Sequence, residues 1–535
     1  PKRRLRRCVG DDGEIDVGFS ALSGPATMGQ TPAEGRSRSR RHGTISDSGN
    51  STHGSAKGAC LVGGASVLIQ VPIEAGEHGF EMTDCRTSLL LFLLMATLLV
   101  ILPVRHLSDS RYSLLISRQL LFSGTLRLDG VMDHPEFFKR PESRAPSGSD
   151  PRLPYQMMRV GGHILPAFPI GTPILSVPYA AFMELVGLPV VHPNGSYDPR
   201  RERWGQAILA SWTVAGFSVM VFWSARLLLP RWWSLLIAVA ATLGTPVLST
   251  ASRVMWSQTT LLLLLAATLH LLLILETRPA HGHPFLVGGT LASLLAWAYL
   301  SRPTAVVFIV AVTIFLALRH KAVLTVFVPT GMAWGLLFVG WSWREFGTWL
   351  PPYYSATRLE FGHFPEAILG HLLSPARGLL VYSPMVFLTA WLLVRCWSRV
   401  VLRTLVGVLL AATGAHLLVV SGFGHWWGGH CYGPRLMADV VPGLALVTIV
   451  ALKAWLDEVP TSSAARGVAD SRAETVRFPC SAVLSVLLIL WSVGLHAIPC
   501  VNGPSTAWNS TPTDIDQVPS RLWDWSDPPF LRLFR

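Results

Sequence analysis

Between residues 88 and 497 the chain keeps returning to one pattern: an apolar stretch, then a polar connection. The stretches are 88–104, 211–229, 233–248, 259–275, 285–300, 304–318, 323–339, 379–394, 405–420, 440–456 and 482–497. A hydrocarbon core about 30 Å thick is crossed by about 20 apolar helical residues. Within it every backbone N–H and C=O needs an internal partner, and a helix supplies those partners within one segment. The pattern predicts an all-α polytopic membrane protein with about eleven transmembrane helices. Residues 168–188 are also apolar but carry Pro169, Pro173 and Pro178. Proline removes a backbone donor and clashes with the preceding turn. This stretch therefore predicts a broken juxtamembrane or re-entrant element rather than a twelfth span.

Composition supports a membrane protein and argues against a nucleic-acid partner. The chain is 50% hydrophobic and 14% charged, with a formal net charge of +12. In a soluble protein such basicity points to nucleic acid. Here the cations sit between apolar stretches. If the stretches alternate in direction, Arg86, Arg226, Arg231, Arg278, Arg319, Lys321, Arg395 and Arg399 all fall on one side. That bias marks the cytoplasmic side, with membrane lipids as the surroundings. The chain then divides into a basic disordered cytoplasmic tail (1–87) and a membrane core (88–456) that includes an exterior loop (105–203). A cytoplasmic loop (457–478), a terminal spanning helix (479–499) and a Trp-rich exterior tail (500–535) follow. The seven cysteines show no zinc-like spacing. Cys431 and Cys500 both face outward in this arrangement, which leaves a disulfide open.

The polar connections opposite the cytoplasmic side hold the candidate chemistry. Ser108-Asp109-Ser110-Arg111-Tyr112 follows the first apolar stretch. Asp109 suits a general base toward an acceptor hydroxyl or a ligand for a divalent cation. Arg111 suits paired contacts to phosphate. Tyr112 suits an interfacial ring with its hydroxyl toward water. Asp133, His134, Glu136 and Lys139 form a second polar group, read either as a solvated loop or as a metal or acceptor site. His163 can approach a phosphate, and Arg253 can neutralise one or simply snorkel. Arg302 carries the same ambiguity. In the stretch 370–378, Gly and Pro permit a close turn that presents His371 and Arg377. The stretch 422–435 places His425, Trp426, Trp427, His430 and Arg435 among glycines. It fits a sugar-phosphate group or a purely structural tryptophan anchor. Two histidines leave a metal site short of a third ligand, for which Asp439 is the nearest candidate. No cofactor is required by any of these patterns, and a divalent cation stays open.

These residues resemble those of the membrane-embedded GT-C glycosyltransferases, especially the branch of protein mannosyltransferases using dolichyl-phosphate-mannose and of aminoarabinose transferases. The likeness lies in Ser108-Asp109-Ser110-Arg111-Tyr112, Ser117-Arg118-Gln119-Leu120 with Gly124, and Pro169-Ile170-Gly171-Thr172-Pro173. It implies a GT-C-like helical bundle in the bacterial inner membrane, its site facing the periplasm or cell exterior. It also implies a polyprenyl-phosphate sugar donor and a hydroxyl acceptor on a lipid, glycan or protein. Asp109 matches the family's catalytic carboxylate and Arg111 the arginine close behind it. The chain departs from the family where Ser110 follows Asp109 in place of a second acid. It departs again where Ser257-Gln258 stands near the position of another carboxylate. The competing readings are a lipid-linked glycan transporter or flippase and a noncatalytic envelope scaffold. A transporter predicts charged residues along a route through the spans, whereas here the polar groups gather at one face.

Overall fold

A computed structural model describes residues 82–105, 107–132, 153–278, 283–458 and 480–533. Most of the basic tail, the Asp133, His134, Glu136 and Lys139 group, and most of the loop 457–478 lie outside the described residues.

The described chain is mostly helical. Its helices are α1 (Met82–Ile101), α2 (Ser113–Ser123), α3 (Asp129–Met132), α4 (Gly171–Leu175), α5 (Val177–Leu185), α6 (Pro199–Arg226), α7 (Arg231–Leu243), α8 (Ser257–Thr277) and α9 (Pro284–Ser301). They continue with α10 (Val306–Arg319), α11 (Lys321–Phe346), α12 (Phe364–Leu373), α13 (Leu379–Tyr382), α14 (Val386–Cys396), α15 (Arg403–Ser421), α16 (Val441–Leu456), α17 (Cys480–Val501) and α18 (Gly503–Ala507). Strands β1 (Met157–Val160) and β2 (His163–Pro166) pair antiparallel, with Met157 opposite Pro166 and Val160 opposite His163.

Eight helical segments among the described residues are long and apolar enough to cross a membrane. They are α1, α6, α8, α9, α11, α15, the continuous segment Arg435–Leu456, and most of α17. The chain is a multi-pass membrane protein. The other three expected spans are shorter, and proline accounts for each. Helix α7 has 13 residues and ends before Pro246, which opens a π-turn at Val247–Ala251. Helix α10 has 14 residues and begins after a 3-10 turn at Pro303–Ala305. The expected span 379–394 is split into α13 and α14 around Pro384. The proline-bearing stretch 168–188 is broken as well, into α4 and α5 at Ser176. Pro178 lies in the first turn of α5, where a missing N–H breaks no helical bond.

Ion pairs tie helix ends together and fix which ends are neighbours. At one end of the bundle Asp84 of α1 binds Arg226 of α6 and Arg231 of α7. Glu276 of α8 binds Arg319 and His320 there, and Glu458 binds Arg395 and Arg399. Arg226, Arg231, Arg319, Arg395 and Arg399 are five of the eight cations that the charge bias placed on a common side. Their clustering follows from helices that run alternately up and down. The opposite end carries the connections around Asp109, Arg253, Arg302, Arg377 and Arg435.

At that opposite end α2, α4, α5 and the β1–β2 hairpin form a layer over the N-terminal part of α6. Its small core contains Leu114, Leu115, Met157, Ile164, Met183 and Val190. Gly205 lets this layer approach α6. A Cβ there would lie 2.8 Å from both Leu114 Cδ1 and Met183 Sδ. Asp198 starts α6 as its N-cap, accepting from the Arg200 and Arg201 amides, with Pro199 next. The helix thus begins well before the apolar stretch at 211 and carries Glu202 and Gln206 under the Asp109 loop.

Candidate functional site

The Asp109 loop is held from beneath. Gln206 Nε2 donates to the Ser110 carbonyl at 2.7 Å, and Glu202 accepts from the Leu114 amide at 2.9 Å. Gln206 also donates to Glu202 at 2.6 Å, so these two side chains brace each other. Tyr112 ends the loop in the left-handed region, at φ 74°. That conformation costs a non-glycine residue about 1–3 kcal/mol. Burial of its ring, 5.4 Å from that of Tyr197, holds it there. Tyr112 therefore serves as a buried anchor of the turn. Arg111 is exposed on the outside of the same turn.

Asp109 meets the second sequence motif directly. Arg435 Nη2 donates to Asp109 Oδ2 at 2.6 Å, across 326 residues of chain. The Asp109 side chain is 26% exposed and that of Arg435 is 9% exposed. Asp109 Oδ1 has only longer hydrogen bonds, at 3.3 Å from Ser108 Oγ and 3.3 Å from the Tyr155 hydroxyl. Burial first, and then the Asp109 charge, push the Tyr155 hydroxyl well above its ordinary pKa. It stays protonated and acts as a donor.

The Gly-rich loop is shaped to deliver Arg435. Gly428, Gly429 and Gly433 have φ of 72°, 69° and 61°, a region that glycine enters at little cost. The Arg435 guanidinium lies 3.9 Å over the Trp256 ring, and its Nη1 donates to the Gly428 carbonyl at 3.3 Å. Its Nε points to Gln258. The Gln258 amide is assigned with its oxygen toward the two guanidiniums, because the opposite orientation sets its NH2 against donors only. So oriented, the oxygen accepts from Arg435 Nε at 3.1 Å and from Arg302 Nη1 at 3.2 Å. Arg302 Nε in turn donates to Asp439 Oδ2 at 2.6 Å, and Thr304 donates to the same oxygen at 2.7 Å. A continuous polar chain thus runs Asp109–Arg435–Gln258–Arg302–Asp439. It holds two carboxylates, two guanidiniums and one neutral amide between the guanidiniums.

No family model, curated protein or solved structure matches the chain.

The remaining sequence candidates stand apart from the Asp109–Arg435 pair in their bonding. Arg253 is buried, and its guanidinium donates to the carbonyls of Leu99 at 2.7 Å, Leu102 at 3.3 Å and Val104 at 3.4 Å. It caps the C-terminal end of α1, where a cation also meets the negative end of the helix dipole. Arg377 is buried and donates to Trp427 O, Ala376 O, Gly429 O and Asn509 Oδ1. It staples the Gly-rich loop to the C-terminal tail. His163 bonds Asp129 Oδ2 at 2.7 Å and Arg127 Nη1 at 3.1 Å. Burial alone would raise the Asp129 carboxyl. The Ile164 amide and His163 outweigh it and hold that group low. His371 is buried edge-on to Trp426, with ring centres 5.6 Å apart. Trp426 packs over Gly370, where any Cβ would collide with its ring. His425 is exposed beside Trp427.

The Trp-rich tail is a packed element. Trp508, Ile515 and Leu522 form one core with Trp426 and Trp427. The tail brings Asp514 and Asp516 to His430, whose Nε2 lies 3.0 Å and 3.5 Å from them. This trio, its ligand atoms all within 4.8 Å, is the metal-competent set among the described residues. Trp427 Nε1 donates to Asp516 and Ser510 sits on His430 Nδ1, so the trio also makes sense as a loop-to-tail clasp. Asp439 is not in this set; it is fully buried, with its Oδ2 bonded by Arg302 and Thr304. Cys431 and Cys500 are free and buried, one against the Trp427 carbonyl and the other against those of Leu248 and His496.

Sequence reasoning missed Tyr155, Gln206 and Trp256 as members of the site. Nothing local marks them, since their importance comes from contacts across tens to hundreds of residues. One further feature has no sequence signal at all. A largely apolar cavity of about 560 Å³ lies between α7, α14, α16 and α17. Thr245, Leu379 and Val441 line it toward the Asp109 end, and Trp233, Leu452 and Trp455 line it toward the other.

Proposed function

We propose that this chain is a GT-C-like glycosyltransferase that moves a sugar from a polyprenyl-phosphate donor to a hydroxyl acceptor. The observation that carries the proposal is the 2.6 Å contact between Asp109 and Arg435 at one end of a helical bundle. It puts a partly exposed carboxylate beside a guanidinium of the kind that binds phosphate. In this reading Asp109 takes the proton of the acceptor O–H. The acceptor oxygen bonds the anomeric carbon as the bond from that carbon to the phosphate oxygen breaks, and the electron pair leaves with phosphate. The configuration inverts. Arg435 stabilises the leaving phosphate, an interaction useful to rate only insofar as it strengthens in the transition state. Arg111, exposed on the same loop, meets the donor as it arrives. The cavity between α7, α14, α16 and α17 takes part of the prenyl chain. The positive bias at the Asp84 end supports a cytoplasmic placement for that end, with the site toward the exterior of a bacterial inner membrane.

The test is sugar transfer by purified protein in lipid nanodiscs supplied with labelled polyprenyl-phosphate sugars. Transfer by the wild type and its loss in Asp109→Asn are the expected results. A flippase reading draws on one observation, the burial of Arg302, His416 and Asp439 within the bundle. Movement of the labelled lipid between leaflets without sugar transfer would favour it.

A further inference from the structure

Arg435 has one charged partner among the described residues, and that partner is the proposed base. Its other bonds go to neutral groups: the Gly428 carbonyl, the Gln258 amide oxygen and the face of Trp256. Arg302 is different, since its carboxylate partner Asp439 is buried and also bonded by Thr304. The two guanidiniums share Gln258, which can orient both because an amide oxygen accepts two hydrogen bonds. An amide adds no charge. With Gln at 258 the chain of five groups balances two anions against two cations. A carboxylate there would add a third anion and would neutralise Arg435 permanently, whatever Asp109 did.

We infer that Gln258 makes Arg435 a transferable cation, held in place by a neutral bridge and handed from Asp109 to the phosphate of an incoming lipid. This rests on the glycosyl-transfer reading of the site and adds an order of events. A phosphate monoester or diester replaces Asp109 on Arg435, since both compete for the same donor. The displaced carboxylate is then free to accept a proton from the second substrate. Donor binding thus unmasks the base, and acceptor chemistry waits for the donor. Gln258 is a positioning residue in this scheme, because it touches the guanidinium and not the reacting atoms. Trp256 holds the plane of the guanidinium while its anionic partner changes.

Binding of farnesyl phosphate to the full chain in nanodiscs, with farnesol as the uncharged control, tests the hand-over. Asp109→Asn removes the competitor and is expected to tighten farnesyl phosphate several-fold, with farnesol unchanged. Gln258→Glu is expected to weaken farnesyl phosphate tenfold or more, again without effect on farnesol. A merely structural role for Gln258 would move both ligands together. Arg435→Gln is expected to abolish the preference for the phosphorylated ligand. If Arg435→Gln loses that preference while Gln258→Glu keeps it, or Asp109→Asn fails to tighten binding, the hand-over is wrong and the site stands. If Arg435→Gln binds both ligands like the wild type, the site reading itself is wrong. The Asp109→Asn arm leaves residue 258 intact, so the inference stays testable should Gln258→Glu fail to fold.

Discussion

The two ends of the bundle use the same chemistry in opposite ways. At one end Asp84 receives three hydrogen bonds from two arginines: Arg226 Nε at 3.1 Å, Arg226 Nη2 at 3.0 Å and Arg231 Nε at 2.9 Å. Its side chain is 3% exposed. At the other end Asp109 has one arginine at 2.6 Å, two hydroxyl contacts at 3.3 Å, and 26% of its side chain exposed. All three bonds to Asp84 are charge-assisted and short, and its side chain is almost covered, so it joins three helix ends. Asp109 has an oxygen that is poorly bonded and a route to solvent. A carboxylate–guanidinium pair is therefore no sign of a site by its presence alone. What distinguishes the two is how much of the carboxylate's bonding capacity the protein has already used.

The largest expected effect breaks the contrast at Asp109. Asp109→Asn should lower sugar transfer by about 10²–10⁴-fold, the usual worth of a positioned general base. It also leaves Arg435 without its charged partner, so the melting temperature in detergent should fall, but by less than for Asp84→Asn, whose carboxylate is more buried and serves two arginines. Asp84→Asn should act on stability and spare transfer. It leaves two cations around an uncharged amide, and loss of one partner from a buried pair costs about 3–5 kcal/mol. Thermal unfolding measures that loss, while transfer per folded molecule should persist. Exchange of these outcomes, with Asp109→Asn unfolding the chain and Asp84→Asn inactivating it, would reverse the assignment of the two ends. A smaller effect is expected at Arg377. Lysine keeps the charge but lacks the planar fork that serves four acceptors. Arg377→Lys should cost about 1–3 kcal/mol through unsatisfied buried carbonyls, read as a lower melting temperature.

Sequence makes one side of this contrast legible and hides the other. Asp109 and Arg435 stand out because a charge beside an apolar stretch, or among glycines, has few packing uses. Arg253 and Arg377 stand out for the same reason, yet most of their donors are consumed by main-chain carbonyls, several of them in distant segments. No spacing rule shows that, because the acceptors are backbone atoms present at every residue. Gln258 reads in sequence as the absence of an acid, and its bridging position appears only when α8, the Arg302 turn and the Gly-rich loop come together. The apolar stretches are legible as helices because hydropathy is local. Their lengths are less so: Pro246, Pro303 and Pro384 cut three of them short. The tail reads in sequence only as Trp-rich, and nothing there shows that Trp508 shares a core with Trp426 and Trp427.

The finest test of the contrast asks which groups at the Asp109 end meet water, and His371 gives a pH-dependent answer. It sits on α12 against Trp426, and burial first of all pushes its pKa from the ordinary 6.5 down to about 4. The folded protein therefore favours the neutral ring, while the unfolded chain takes up a proton near pH 6.5. Stability from this group is complete above that value and is lost as pH falls from about 6.5 toward about 4. Each pH unit in that window carries up to about 1.4 kcal/mol for one proton. His371→Gln has no proton to take up there, so its stability should fall less steeply on acidification than that of the wild type. Unfolding measured at several pH values between 4 and 7 gives both slopes. Equal slopes would mean that His371 already meets solvent in the folded chain, and it would then rejoin Asp109 among the accessible groups of this end.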